Sequence, residues 1–295
     1  MDVNSKAVAI LGLFPRIARL RSEYHDYIDS PETFVARLKE AKIHADVFTF
    51  LQPVSDTAPK YHHFFSWTNV AVLTISTYEN WWKRQVNDKT RNMVRKAGKK
   101  GVAIKLSEFS DELAKGIHAI YNECPLVQGR PSKHYGKDFQ TLKMAHATFL
   151  ERSVFIGAYY EGVLIGFIKM ILHPGGRSAS LMQIMSLVAH RDKAPTNALL
   201  AKAIETCAER GIEHLQYGTW SRRSLGDFKK HHGFALVKIP RYFVPLNLRG
   251  RIALALGLHR SSAEIVPGSF QDVFANLRAK WYLFKYRSQM QSQGL

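Results

Sequence analysis

Only two cysteines, Cys124 and Cys207, occur in 295 residues. There is no Cys-x-x-Cys pair and no cysteine–histidine cluster, so neither a disulfide framework nor a metal site is expected. Acidic residues are also scarce: 24 Asp and Glu stand against 42 Lys and Arg, a net charge of +18. No run of about 18 apolar residues is present, so no membrane-spanning segment is expected. The short apolar stretch 7–14 lacks a signal-peptide cleavage pattern. From these absences the expected setting is reducing and cytoplasmic. Internal repeats and low-complexity tracts are missing too. The rest has a globular composition, 46% apolar and 12% aromatic, enough to bury a sizeable core.

The placement of the charge says more than its total. Between residues 81 and 105, Lys83, Arg84, Lys89, Arg91, Arg95, Lys96, Lys99, Lys100 and Lys105 face Asp88 alone. The C-terminal segment adds Arg249, Arg251, Arg260, Arg278, Lys280, Lys285 and Arg287. Such clusters attract polyanions, whether nucleic acid, anionic lipid or a nucleotide-linked molecule. The same charges would also serve a plain solvated surface.

Residues 1–80 read as an N-terminal α+β portion. It has weak helical character over 35–43 and strands at 46–51 and 69–75, rich in β-branched and aromatic residues. A helix is predicted over 78–98, with Trp82, Val86, Met93 and Ala97 approximating one apolar face. A longer series follows, beginning with a strand at 102–106. The next helix is capped by Ser110, carries Asp111 and Glu112 in its first turn and is stopped by Pro125. A polar loop spans 128–135, and a helix spans 138–151. Strands at 154–159 and 163–172 are joined at Glu161 and Gly162, a hairpin signal. A third antiparallel strand at 179–188 runs into a polar turn and a helix over 195–210. A strand at 213–217, a short helix at 224–231 and a strand at 234–245 close the series. Beyond residue 246, Phe270, Val273, Phe274, Leu277, Trp281 and Phe284 recur at helical spacing. That pattern suits a helix packed on the domain or lying on a membrane surface.

Strand, two helices, three antiparallel strands, helix, strand, helix, strand is the element order of the GNAT acyltransferase fold. The segment Thr90–Val102 resembles the R-x-x-x-R-K-A-x-x-x-G-V stretch of Fem-type, GNAT-like transferases. Tyr217–Thr219 with Leu225–Phe234 resembles that group's closing G…FK…GF motif. The resemblance covers residues 80–246. It implies an α/β (α+β) fold with a mixed, mostly antiparallel central sheet flanked by helices. The expected division is an N-terminal portion at 1–80, a GNAT-like domain at 81–246 and a basic helical segment at 247–295.

A helix start after a core strand presents unpaired N–H groups and a positive dipole end, a seat for an anion. In the GNAT superfamily this turn wraps the pyrophosphate of acyl-CoA with a glycine-rich loop. The resemblance therefore assigns Val188, Arg191, Lys193, Ala194, Thr196 and Asn197 to acyl-CoA or acetyl-CoA. Ala194 and Thr196 occupy the glycine positions of that loop, and Pro195 lacks an N–H donor, departures that weaken the case for acetyl-CoA. An ordinary helix start with proline near its first position would look the same.

Lys229 matches the lysine that Fem-type enzymes place at the reaction centre. A fixed ammonium there would neutralise an acyl-transfer oxyanion. Candidate proton acceptors are His134, Glu123, Asp227 and Tyr217. Arg91 and Arg95, spaced i and i+4, share a helix face and suit phosphate recognition. Gln128, Arg130 and Tyr135 in the polar loop complete the expected acceptor site. The expected function is N-acyl transfer from acyl-CoA to an amine on a polar, anionic acceptor, a sugar nucleotide or a cell-envelope glycan precursor. One alternative keeps the fold and takes aminoacyl-tRNA as donor, which the glycine-poor turn and the charge favour. A further alternative is a silent GNAT-like module binding nucleic acid or a membrane surface. tRNA, and a peripheral membrane contact through the C-terminal helix, are the remaining expected partners.

Overall fold

A computed structural model of the chain describes residues 2–3, 6–127, 130–221 and 223–259. The expected C-terminal helix around 270–284 lies outside the described residues, as do Gln128, Arg222 and the side chains of Arg130 and Arg223. In chain order the first elements are β1 (Asp2–Val3), β2 (Lys6–Leu11), β3 (Ile17–Leu20), α1 (Pro31–Glu40), β4 (Val47–Leu51) and β5 (Phe64–Thr74). Next come α2 (Tyr78–Asn80), which runs into a π-helical turn at Trp81–Gln85, then α3 (Asp88–Lys99), β6 (Ala103–Ser107) and α4 (Asp111–Tyr121). A small ribbon of β7 (Leu126–Val127) and β8 (Arg130–Pro131) precedes α5 (Phe139–His146). The remaining elements are β9 (Ser153–Tyr160), β10 (Val163–Leu172), β11 (Ser178–Ser186), α6 (Pro195–Glu209), β12 (His214–Thr219), α7 (Arg223–His231), β13 (Ala235–Pro245) and α8 (Leu248–Ala255).

Among the described residues eleven strands form one sheet in the order β1-β2-β3-β4-β13-β5-β12-β11-β10-β9-β6. All pairings are antiparallel except β3 with β4 and β11 with β12. The sheet is therefore mixed and mostly antiparallel, with helices on its faces, as expected. Ala97 of α3 and Leu199, Leu200, Ala203 and Ile204 of α6 pack on one face. Leu113 and Ile117 of α4 and Leu142 of α5 pack with Phe155, Leu164 and Phe167 on the other. Alternate residues of β9 and β10 serve the two clusters, as the period of a strand requires.

The expected break at residue 80 does not coincide with a break in the sheet. β5, from within the N-terminal portion, lies between β12 and β13, and β13 in turn pairs with β4. The bidentate pair of Arg241 with Glu23 (2.8 and 3.0 Å) ties β13 to the N-terminal segment, with Glu23 only 4% exposed. The apolar stretch 7–14 lies mostly within β2 and the hairpin it forms with β3. The predicted continuous helix over 78–98 is interrupted. Val86 is extended, and the Asn87 side chain caps α3 by accepting the N–H of Thr90 at 2.8 Å. An asparagine followed by an aspartate is a helix start, and here it overrides the apolar periodicity.

The same N-terminal segment meets the sheet through imidazoles. His25 Nδ1 lies 2.7 Å and His173 Nε2 2.9 Å from the single Ser180 hydroxyl, and Tyr27 stands edge-on to His173. Burial, aided by Lys169 and Arg152 around His25 and by His25 and Arg152 around His173, depresses these imidazoles to about 4 and about 3. Burial likewise holds His146 and His232 at about 4. In the unfolded chain each titrates near 6.5. The unfolded chain thus binds more protons below that value, and stability is lost as pH falls from about 6.5 towards about 4. The urea midpoint is expected to fall steadily across that window. His173→Gln should shallow the slope. A midpoint that stays level between those pH values would contradict the buried, neutral imidazoles.

Candidate active site

β11 and β12 run parallel and pair only at Ser178 with His214, Ala179 with Leu215 and Ser180 with Gln216. β11 continues to Ser186, still bonded to β10 on its other side. β12 turns away. Its register against β5 shifts between Gln216 and Thr219, and Gly218 takes a left-handed φ of +56°, which glycine adopts without a Cβ clash. Trp220 N then donates to Asn69 O, which keeps the strand end on the β5 side. The two strands part, and a cavity of about 520 Å³ opens where they separate.

Five pieces of chain wall this cavity. β11 contributes Ile184, Met185 and Ser186, and β12 contributes Tyr217. The turn and the start of α6 contribute Val188, Arg191, Ala194, Thr196 and Asn197. The end of α4 and the residues after it contribute Tyr121, Glu123 and Cys124, and α7 contributes Ser224, Leu225 and Phe228. α7 approaches the strap after β12 closely. A Cβ on Gly226 would meet the Ser221 carbonyl oxygen at 2.1 Å, so only glycine fits there.

The expected anion seat is half built. Val188, Arg191, Ala194, Thr196 and Asn197 line the cavity. Ala194 is left-handed (φ +54°) and buried, a conformation that glycine tolerates better. The backbone donors of the turn are engaged, however. The N–H groups of Val188 and Ala189 donate to the two oxygens of Glu123 at 2.6 and 2.8 Å. Ala194 N donates to Arg191 O and Asn197 N to Ala194 O. Lys193 does not line the cavity. Its ammonium lies 4.6 Å from the centre of the Tyr160 ring and 3.5 Å from Asp192.

Lys229 is buried, 2% exposed. Its ammonium donates to Thr219 O at 2.7 Å and the Ser221 hydroxyl at 3.2 Å, and sits 4.5 Å from the centre of the Tyr217 ring. It does not line the cavity, but the Tyr217 ring against which it packs does. Burial, with no compensating carboxylate, lowers it to about 8. Burial pushes the Tyr217 phenol up, so it stays protonated at neutral pH and serves as a donor rather than a base.

His134 stands beside the site, 4.3 Å from the Tyr121 ring centre and 3.5 Å from the Gln183 amide. Burial first, then Lys137 and Lys133, lower its pKa, so it is neutral at pH 7. Asp227 is exposed on α7 and takes no part in the cavity wall.

Among the expected acceptor residues whose side chains are described, Arg91, Arg95 and Tyr135 are not brought to this cavity. Arg91 donates to the carbonyls of Trp82 and Val86 at 2.8 and 3.0 Å and pairs with Asp88, which closes the C-terminal end of the π-helical turn. Arg95 is exposed beside Trp82 and Asn92. Tyr135 is exposed in its turn. Among the described residues no group of three His, Cys, Asp or Glu side chains could hold a metal, and no helix is long and apolar enough to cross a membrane.

Residues 115–234 match the model of the acetyltransferase (GNAT) family. Among solved structures, the fold resembles that of FemX (TM-score 0.59, 12% identity, 85% of this chain and 86% of that one). It also resembles the C-terminal domain of a candidate lysylphosphatidylglycerol synthetase from Agrobacterium fabrum (0.55, 14%, 87% and 86%). L-PGS from Bacillus licheniformis is a third likeness (0.51, 13%, 81% and 81%). No curated protein matches the sequence.

The cavity has a chemical reporter in its wall. Cys124 lines it, whereas Cys207 is fully buried against Met170 and burial pushes its thiol up to about 12. Iodoacetamide on the native chain is expected to give one label per molecule, at Cys124, by peptide mass. Labelling of Cys207 at a comparable rate would contradict this architecture.

Proposed function

We propose that the chain, whose residues 115–234 match the acetyltransferase (GNAT) family, transfers an aminoacyl group from an ester donor of the aminoacyl-tRNA type to an amine on a polar, anionic acceptor. One observation carries the choice of donor: the turn after β11 has few free amides with which to wrap a pyrophosphate. Glu123 takes those of Val188 and Ala189, Ala194 and Asn197 bond within the turn, and position 195 is proline. A phosphate seat depends on free backbone donors. The fold likenesses reach over four-fifths of the chain, a longer stretch than residues 81–246. That breadth supports a Fem-type reading, against which a single GNAT-like unit at 81–246 would count. At 12–14% identity they lend the fold and no substrate.

In this reading the acceptor nitrogen attacks the ester carbonyl where β11 and β12 part. The ester C–O bond breaks, the donor's oxygen leaves with a proton, and the nitrogen loses one. The Tyr217 hydroxyl donates towards the developing oxyanion. Lys229, packed on the Tyr217 ring, positions that ring and strengthens the local positive field. The acceptor is a sugar nucleotide or a cell-envelope glycan precursor, drawn by the net charge of +18. An acyl-CoA donor is the second reading, favoured by Arg191 and the α6 N-terminus in the cavity wall.

Two measurements test this. Aminoacyl-tRNA is expected to protect Cys124 from iodoacetamide and to raise the melting temperature. At about 100 times its dissociation constant, linkage adds about 2.7 kcal/mol. CoA is expected to do neither, and the opposite pattern would move the donor to CoA. Lys229→Met should keep the fold, since the apolar stem remains, and slow donor consumption by up to about 100-fold. The alkaline limb near pH 8 that the Lys229 ammonium imposes should vanish with it, while Lys229→Arg should shift the limb upward. Lys230 is exposed on the same helix, and Lys230→Met should leave rate and pH profile unchanged. Equal rates and profiles for Lys229→Met and Lys230→Met would remove Lys229 from the mechanism.

A further inference from the structure

Glu123 follows the end of α4 and reaches across to the turn after β11. Oε2 accepts from Val188 N and Oε1 from Ala189 N, so the carboxylate is fixed at both oxygens. A carboxylate has about four lone-pair positions, and these two bonds leave about half of them free. Among the described residues no lysine, arginine or histidine forms an ion pair with it. It lines the cavity, together with the Tyr121 and Tyr217 rings. Arg191 is the other charged side chain among the described lining residues.

A negative charge held by backbone in a partly enclosed cleft, with no cation paired to it among the described residues, favours a cationic ligand. One carboxylate suits an ammonium rather than a divalent metal, which needs several oxygen ligands. The aromatic walls add to that preference. In that reading the ammonium lies near the reacting carbonyl, because Val188 and Ala189 begin one residue beyond the strand that walls the cleft.

We propose that Glu123 is an ammonium-binding site that reads the free α-amino group of the donor's aminoacyl moiety, so that the enzyme accepts aminoacyl donors and rejects N-blocked or simple acyl ones. This rests on the aminoacyl-donor reading above. A carboxylate that merely braced the turn would leave ligand selectivity untouched, and that difference makes the two roles separable.

The test uses the full chain and three probes: a stable amide analogue of alanyl-adenosine, the same compound N-acetylated, and CoA. Protection of Cys124 from iodoacetamide is titrated with each. In the unaltered protein the free-amine analogue should protect at a roughly 10- to 100-fold lower concentration than the acetylated one, the range expected for a charge-assisted bond. In Glu123→Gln that ratio should fall to about one, with the acetylated analogue binding as before. The ratio is taken within each protein, so an altered thiol reactivity cancels. Should Glu123→Gln fail to fold, the ratio in the unaltered protein still decides. Equal protection by the two analogues there overturns the ammonium site and leaves the aminoacyl donor standing. Protection by CoA and by neither analogue removes the donor reading, and the ammonium site with it. Protection by none of the three counts against both.

Discussion

The parting of β11 and β12 is the constraint on which the rest of the site depends. Two parallel strands in the middle of a sheet pair for three residues and then diverge. The divergence exposes backbone donors and acceptors that a continuous sheet would satisfy, and each left buried and unmet costs about 1–3 kcal/mol. The chain meets several of them with its own groups. Leu187 N bonds Ile165 O, Trp220 N bonds Asn69 O, Lys229 caps Thr219 O, and Glu123 takes the next two amides beyond β11. Among these groups Glu123 lines the cavity, and Lys229 packs on the Tyr217 ring that does. The cavity's chemistry is set by which of them carry charge.

Those charges are few and separated. Lys229 is buried without a carboxylate, against an aromatic ring. Tyr217 stays protonated and His134 stays neutral, both because burial disfavours their charged forms. Among the described residues Glu123 alone brings a negative charge into the wall, beside Arg191. A site with a protonated donor on one side and a lone, backbone-held carboxylate on another is polarised along one direction. Such a site suits a substrate with an ammonium next to a carbonyl better than one with a string of phosphates.

Much of this was legible in the sequence, and the limits have physical causes. The alternating strands from Ser153 to Ser186, the Glu161–Gly162 hairpin and the Ser110 cap are local signals, and they appear close to where local chemistry puts them. The G…FK…GF motif led to Lys229 and Tyr217. Depth was not readable. A lysine buried behind a tyrosine and one in open solvent look alike in a chain of letters. Nor was the π-helical turn readable that draws the Arg91 guanidinium onto main-chain carbonyls, so a phosphate role was expected of a side chain that closes a helix end. Glu123 appeared only as one of several candidate bases. Its bonds to Val188 and Ala189 span more than sixty residues of chain, and no periodicity or spacing reports a contact of that range. The weak signal available was an acid just past a helix end, before Cys124 and Pro125.

The large positive charge can be placed by the same reasoning. Lys83, Arg84, Lys89, Lys99, Lys100 and Lys105 are exposed, and none of them lines the cavity. A small anion gripped in the active site would call for cations in its wall, where among the described residues only Arg191 stands. Charge spread over an outer surface acts differently. It raises the encounter rate of a large polyanion and holds its backbone, with an affinity that weakens steeply as salt rises. A donor whose reactive end is small and cationic, but whose body is a polyanion, would use both features at once: the basic surface for the body and the Glu123 end of the cavity for the tip. An acyl-CoA, compact and phosphate-bearing close to its reactive end, would leave the outer charge without a partner and would face engaged amides where its pyrophosphate should sit.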